Sequence, residues 1–166
     1  MKKRPEIKGV TVSAELSEDD AKLFYAVYKL KRLPSGWTAQ QDLKPQEFVD
    51  NLDEFIRRNY DINWSVRKNE KPMAVILGMD AGKHIVIGDM IWHPKATPRT
   101  KLEVGVTFFK EIRLLKSCLV ESEYKYKKFY ERLCDYSLLR RVGSLYDTID
   151  KNSKTLLFQT RKIWLT

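Results

Sequence analysis

The residues best suited to chemistry gather between His93 and Lys101, where Lys95, Arg99 and Lys101 fall in a short polar stretch ahead of a long segment with helical patterning. A loop that opens into a helix brings backbone N–H groups and the positive end of the helix dipole together, a ready site for an anion such as phosphate. A second concentration is Tyr124-Lys125-Tyr126-Lys127-Lys128-Phe129-Tyr130. Its aromatic faces could stack on the bases of single-stranded nucleic acid while its lysines neutralise phosphates. On a helix, however, Lys125 and Lys128 fall on a different side from Tyr126 and Tyr130. An amphipathic helix with a solvated basic edge accounts for the run with less, and nucleic acid is not the expected partner. Cys118 and Cys134 have no metal-ligand spacing; they read as free buried thiols of a reducing compartment, with a disulfide as the alternative. His84 and His93 lack a third ligand and any Ser or Cys partner at a recognisable spacing, so metal and triad chemistry are not expected.

The chain of 166 residues is long enough for one domain with a substantial core, and residues 1–166 are read as a single domain. Its 43% hydrophobic and 32% charged residues fit a soluble globular protein. No apolar run approaches the roughly 20 residues of a membrane helix. The opening Met-Lys-Lys-Arg-Pro-Glu has no apolar region after it, unlike a secretory signal. The expected location is therefore cytoplasmic. Net charge is +9, and it is unevenly placed: residues 1–98 carry 16 Lys and Arg against 14 Asp and Glu, whereas residues 99–166 carry 15 against 8. The excess follows the candidate anion loop. It serves either a phosphorylated ligand or nucleic acid, or a solvated face that aids solubility.

Positioning these groups falls to a central unit. Pro72–Met79 and His84–Trp92 read as strands rich in Val, Ile and Met, joined by a hairpin turn at Asp80-Ala81-Gly82-Lys83. Such apolar strands belong in the middle of a covered sheet. His93–Arg99 is the loop, and Thr100–Lys116 the helix. Ahead of this unit come a strand over residues 8–14 and a helix capped by Ser17, with Leu23, Val27 and Leu30 as its stripe. Leu33-Pro34-Ser35-Gly36 is a break. A second helix enters at Pro45, with Phe48, Leu52, Phe55 and Ile56 on one side and Asn59 as its C-cap. Ile62, Trp64 and Val66 mark a half-buried strand, and Asn69-Glu70 a turn. Behind the unit come a strand over Ser117–Ser122 and a helix from Glu123 to Asp135, with Tyr126, Phe129, Tyr130 and Leu133 on its apolar side. Strands over Leu138–Leu145 and Thr155–Lys162 close the chain, joined by a polar loop over Asp147–Ser153. The order β α α β β β α β α β β describes one mixed α/β (α+β) domain.

That order, at these lengths, resembles the GNAT family of N-acetyltransferases over nearly the whole chain. The resemblance implies a twisted, mostly antiparallel sheet of about six or seven strands with a parallel central pair and helices on both faces. The parallel pair would be His84–Trp92 and Ser117–Ser122, joined by a right-handed crossover through Thr100–Lys116. In that family acetyl-CoA lies in the gap where this pair splays, with its pyrophosphate on the loop and helix after the fourth strand. The implied cofactor-binding residues are Met90, Ile91, Trp92, Lys95, Arg99, Thr100 and Lys101. Lys128-Phe129-Tyr130-Glu131-Arg132-Leu133 is similar to the family's lYekl segment, which makes Tyr130 the implied general acid for the departing thiolate. Asp89 or Glu121 would take the proton of the amine acceptor.

The sequence also departs from the family. Its phosphate loop, usually (Q/R)-x-x-G-x-(G/A), is here Pro94-Lys95-Ala96-Thr97-Pro98-Arg99-Thr100-Lys101, without glycine. Glycine lets backbone approach a phosphate closely, and Pro98 removes one N–H donor. Asp89 after Gly88 also fits a β-bulge, and Tyr130 also fits the apolar stripe with Phe129 and Leu133. Two functions are therefore expected. One is acetyl-CoA-dependent N-acetyltransfer with a degenerate pyrophosphate loop. The other is a non-catalytic relative, such as a tailed-bacteriophage virion component, whose surface binds neighbouring proteins and whose cleft is filled by side chains such as Trp92 or Phe108.

Overall fold

The structure, a computed structural model, describes residues 6–29, 60–146 and 154–161. The helix expected from Pro45 to Asn59, the break at Leu33–Gly36, Leu30, Lys162 and the loop Asp147–Ser153 lie outside them. The elements run β1 (Val10–Ser13), α1 (Glu18–Lys29), β2 (Ile62–Lys68), β3 (Lys71–Asp80), β4 (His84–Trp92) and α2 (Pro98–Leu115). They continue with β5 (Ser117–Glu123), a 3-10 turn (Tyr124–Tyr126), α3 (Lys127–Asp135), β6 (Leu139–Tyr146) and β7 (Lys154–Thr160). The strands form one seven-stranded sheet in the order β1-β2-β3-β4-β5-β7-β6. All neighbours are antiparallel except β4 and β5, which run parallel, as expected.

The strand pattern sets which helix covers which face. In β2, Trp64 and Val66 point into the main core, where the Trp64 ring meets Phe108 of α2 edge-on at 5.3 Å between centroids. Ser65, between them, points the other way and donates to Asp20 of α1. Helices α1 and α2 therefore lie on opposite faces. Strand β3 sits third in the sheet under both, and Ala74, Val75, Ile76 and Leu77 are all fully buried. A run of β-branched and aliphatic residues is what such a position demands. Phe108, Phe109, Ile112 and Val104 of α2 bury against this core.

Local chemistry places the turns. Asp80 Oδ1 accepts from the Gly82 amide at 2.9 Å, and Gly82 takes a φ of +74° that its missing side chain permits. Asn69 and Glu70 both take positive φ in the turn between β2 and β3. Helix α2 begins two residues ahead of the expected Thr100, because Thr97 caps it and Pro98 suits its first turn without loss of a hydrogen bond. The expected helix over Glu123–Asp135 is shorter than its pattern. Strand β5 runs on to Glu123 and the chain leaves it as a 3-10 turn, so Tyr126 sits just before α3, half exposed, instead of on an apolar stripe. Cys118 is buried and Cys134 half-buried, and both are free thiols. No helix among the described residues is long and apolar enough to cross a membrane.

Helix α1 is fixed by a buried carboxylate. Asp20 has no exposed surface; its oxygens accept from the Ser17 amide at 2.8 Å, Ser65 Oγ at 2.7 Å and Arg67 Nη2 at 2.9 Å. The bond to Ser17 caps the helix, and the other two tie it to β2. Asp20→Ala should cost about 3 kcal/mol, since it strands a buried hydroxyl and a partly buried guanidinium. Urea denaturation measures this; a loss below about 1 kcal/mol would mean that Ala21, Leu23 and Val27 hold α1 without the carboxylate.

Candidate active site

Strands β4 and β5 stay together only briefly. Their parallel register runs from His84 with Ser117 to Ile87 with Val120 and then stops. Beyond it β4 keeps pairing with β3 as far as Trp92 with Ala74, and β5 keeps pairing with β7 as far as Glu123 with Thr155. Each strand follows its outer neighbour as the sheet twists, and a wedge opens between them. The wedge leads into a cleft of about 1050 Å³, bounded by the ends of β4 and β5, the start of α2, the 3-10 turn and α3. From Gly88 onward, the β4 edge that faces β5 has no strand partner among the described residues.

A bulge decides what lines this wedge. Leu77 pairs with Asp89 while Gly78 pairs with Ile87, so Gly88 is an extra residue in β4. Ile87 faces the α2 core, and two residues later a regular strand would turn the Asp89 side chain the same way. The inserted residue instead puts Asp89 opposite Leu77 on the α1 face and returns Met90 to the α2 face. Gly88 must be glycine here, because a Cβ would lie 2.6 Å from Cε1 of Tyr60. The Tyr60 hydroxyl donates to Asp89 Oδ2. Burial pushes the Asp89 carboxyl above the usual range, and the Tyr60 hydrogen bond partly offsets it. Glu121 lies exposed beside the wedge on the same face as Asp89, one residue past Val120, whose side chain enters the α2 core.

Tyr130 approaches from the other face. Its ring stacks on Phe158 at 5.0 Å and meets Phe129 edge-on at 5.0 Å, so α3 can orient it in one way only. The residue is 7% exposed, yet its hydroxyl points at the wedge, toward Met90 Sδ at 3.7 Å. Burial first, and then the neighbouring Tyr126 and Asp89, push this phenol well above its ordinary pKa, while the Ser122 hydroxyl pulls the other way. It therefore keeps its proton at neutral pH. Packing and approach to the wedge, two alternatives in the sequence, are both features of this one side chain.

The anion loop differs from the expectation of several free amides. Pro94 and Pro98 have no N–H. The Lys95 amide donates to His93 Nδ1, that of Ala96 to the His93 carbonyl, that of Thr100 to Thr97 Oγ1 and that of Lys101 to the Thr97 carbonyl. Four of the loop's amides are thus bonded within it, two of them by the cap that starts α2, and only those of Thr97 and Arg99 have no bond among the described residues. What it offers instead are side chains. Arg99 pairs with Glu103 at 3.2 Å, and Lys101 Nζ lies 5.7 Å from the Trp92 ring centre; Lys95 is exposed. A hydrogen bond from Lys68, and then one from Arg99, hold the Glu103 carboxyl below the usual range.

The structure brings Asp89, Met90, Ile91, Trp92, Arg99, Lys101, Glu121 and Tyr130 to one cleft. Lys95 and Thr100 are not in its lining. Phe108, expected as a possible plug, is fully buried under β2 instead, while Trp92 does line the cleft and meets Phe129 edge-on at 5.8 Å. The sequence reading missed Tyr60, Ser122, Lys128 and Arg132. Lys128 and Arg132 had a signal, their i, i+4 spacing on one helix. Tyr60 had none, since its partner lies 29 residues away.

No protein-family model matches the sequence, and no curated protein matches it. Solved structures do. A spermidine N-acetyltransferase SpeG chimera from Vibrio cholerae and hSSAT superposes with a TM-score of 0.64 at 10% identity, over 92% of this chain and 95% of that one. A spermidine N-acetyltransferase from Vibrio cholerae in complex with CoA and spermine gives 0.59 at 13% identity, over 91% and 94%. A protein from Desulfovibrio desulfuricans assigned to the GNAT family gives 0.56 at 15% identity, over 90% and 97%. The chain has the GNAT fold. The wedge between β4 and β5 is thus the splayed parallel pair expected of it. None of these three structures is a virion component, and the assembly reading draws no support from them.

Because the folded Asp89 binds its proton more tightly than the unfolded residue, its contribution favours the fold at pH below the unfolded pKa and is lost as pH rises through the folded one. NMR titration of the carboxyl carbon should therefore give a midpoint above that of an ordinary aspartate, and Tyr60→Phe should move it higher still. A midpoint at or below the ordinary value would mean that the carboxylate is solvated and the pocket at Gly88 open.

Proposed function

We propose that this chain is an acetyl-CoA-dependent N-acetyltransferase in which side chains take over phosphate binding from the loop backbone. The observation that carries the reading is the pair of groups on opposite sides of the wedge: a protonated phenol, Tyr130, on one face and a proton-hungry carboxylate, Asp89, on the other. Acyl transfer to an amine needs both, one to take the amine proton and one to serve the leaving thiolate. The likeness in fold to enzymes named as spermidine N-acetyltransferases supports the same reading.

Acetyl-CoA, when bound, supplies an activated acyl thioester. The residues present suit its acyl end, since the wedge is open, apolar at Met90 and Ile91, and carries an unpaired strand edge. They suit its phosphates chiefly through cationic side chains of the cleft, since most of the loop's amides are bonded within it. Asp89 Oδ1 or Oδ2 would accept the amine proton, directly or through water, with Tyr60 fixing the carboxylate's orientation. Glu121, exposed on the same face, would attract a cationic acceptor amine. The free N–H groups of β4 near Met90–Trp92 would polarise a carbonyl. Tyr130 Oη would donate to sulfur.

The loop also favours a second reading, a non-catalytic GNAT-fold protein that works through protein partners. Donors occupied within the loop are what disuse of a phosphate site would leave. Thermal denaturation with acetyl-CoA separates the two. At about 100 times its dissociation constant, the cofactor should stabilise the fold by roughly 2.7 kcal/mol; no shift at millimolar acetyl-CoA would sink the enzyme reading. If the protein is active, Tyr130→Phe should lower turnover about 10²-fold with cofactor affinity little changed, because the hydroxyl matters most as charge develops on sulfur. Equal turnover would reduce Tyr130 to a packing residue.

A further inference from the structure

The closed loop leaves a question of charge. Five cationic side chains line the cleft: Arg99 and Lys101 from α2, Lys125 from the 3-10 turn, and Lys128 and Arg132 from α3. Three of them have local partners. Arg99 pairs with Glu103, Lys125 with Glu123 at 2.6 Å, and Lys101 lies over Trp92. Lys128 and Arg132 have no ion-pair partner among the described residues. They stand four apart on α3, both in the cleft lining, and like charges at that spacing repel and weaken a helix. On the far side of the same helix, Lys127 pairs with Glu131 at i, i+4 in the ordinary way.

Helix α3 is also closely packed against α2. Phe129, between them in sequence, seats on Gly105 of α2 so closely that a Cβ there would lie 2.8 Å from its ring. Two closely packed helices thus bring Lys128, Arg132 and Lys101 to the lining of one cleft. A guanidinium and ammonium groups at the rim of one groove are what a phosphate or pyrophosphate requires.

The geometry points to a phosphate-binding groove between α2 and α3, built by Lys128 and Arg132 together with Lys101, which takes over from the mostly bonded loop after β4 as the main anchor for a phosphorylated ligand. This rests on the acetyl-CoA reading for the ligand's identity, but not for its chemistry. A site made of side chains alone should bind with steep salt dependence, since the charges are exposed and screened.

The test is calorimetric titration of the full chain with acetyl-CoA and, separately, with adenosine 3′,5′-bisphosphate, at low and high salt. The double variant Lys128→Gln/Arg132→Gln is compared with Lys125→Gln, whose ammonium is already matched by Glu123. The expected result is at least about a tenfold loss of affinity for both ligands in the double variant, the scale of losing charge-assisted hydrogen bonds, with a flatter salt dependence and little change in Lys125→Gln. Circular dichroism and thermal denaturation check that both variants fold. Acetyl-CoA binding unchanged by the double variant would overturn the groove and leave the acetyltransferase reading standing. Bisphosphate binding that needs Lys128 and Arg132, without any binding of acetyl-CoA, would uphold the groove and overturn that reading. No binding of either ligand would overturn both.

Discussion

The feature on which the rest depends is the short parallel pairing of β4 and β5. A parallel pair inside an otherwise antiparallel sheet needs a crossover, and α2 provides it. That crossover packs Phe108, Phe109 and Ile112 into the core, and its far end puts Lys116 within 2.5 Å of Asp80 at the β3–β4 hairpin. The pairing is thereby anchored at one end and free at the other. Past Ile87 and Val120 the strands separate toward β3 and β7, and the cleft occupies the space between them. A longer ladder would make a more regular sheet and remove the cleft.

The bulge at Gly88 turns that opening into a place with two chemical sides. Without it, Asp89 would face the α2 core, where a carboxylate has no partner. With it, Asp89 reaches Tyr60 on one face, while Met90 receives the Tyr130 hydroxyl on the other. One inserted residue thus sets a carboxylate and a phenol on opposite faces of a single sheet. Its requirement for glycine is steric: the Tyr60 ring occupies the space of any side chain.

The sequence was informative wherever local chemistry decides structure. The Asp80–Lys83 hairpin, the Asn69-Glu70 turn, the Ser17 cap and the two-sided burial of β3 follow from residue type and period, and each is found in the structure. The parallel pair was legible only through resemblance in element order, since neither strand's composition tells its direction. The start of α2 was misplaced because Pro98 reads equally as loop and as first helical turn. Tyr126 was misplaced because the period of Tyr126, Phe129 and Tyr130 continues through a 3-10 turn that the pattern cannot distinguish from helix. Tyr60 and Ser122 were illegible for another reason: their roles come from tertiary contact alone.

The loop after β4 carries the sharpest contrast between composition and geometry. Its cations suggest an anion site, and its lack of glycine suggests a damaged one. The structure gives the physical cause: bonds to Thr97 and His93 occupy most of its amides. A helix start can satisfy its own donors or offer them to a ligand, not both at once. Here it satisfies most of them, which stabilises α2, and a phosphorylated ligand would then depend on groups that do not compete with the backbone. Long side chains from α3 meet that condition. They extend across the groove from a helix whose own register is locked by Phe129 against Gly105. Cations on the helix beside the loop are thus compatible with an unchanged sheet, wedge and pair of carboxylate and phenol on its two faces.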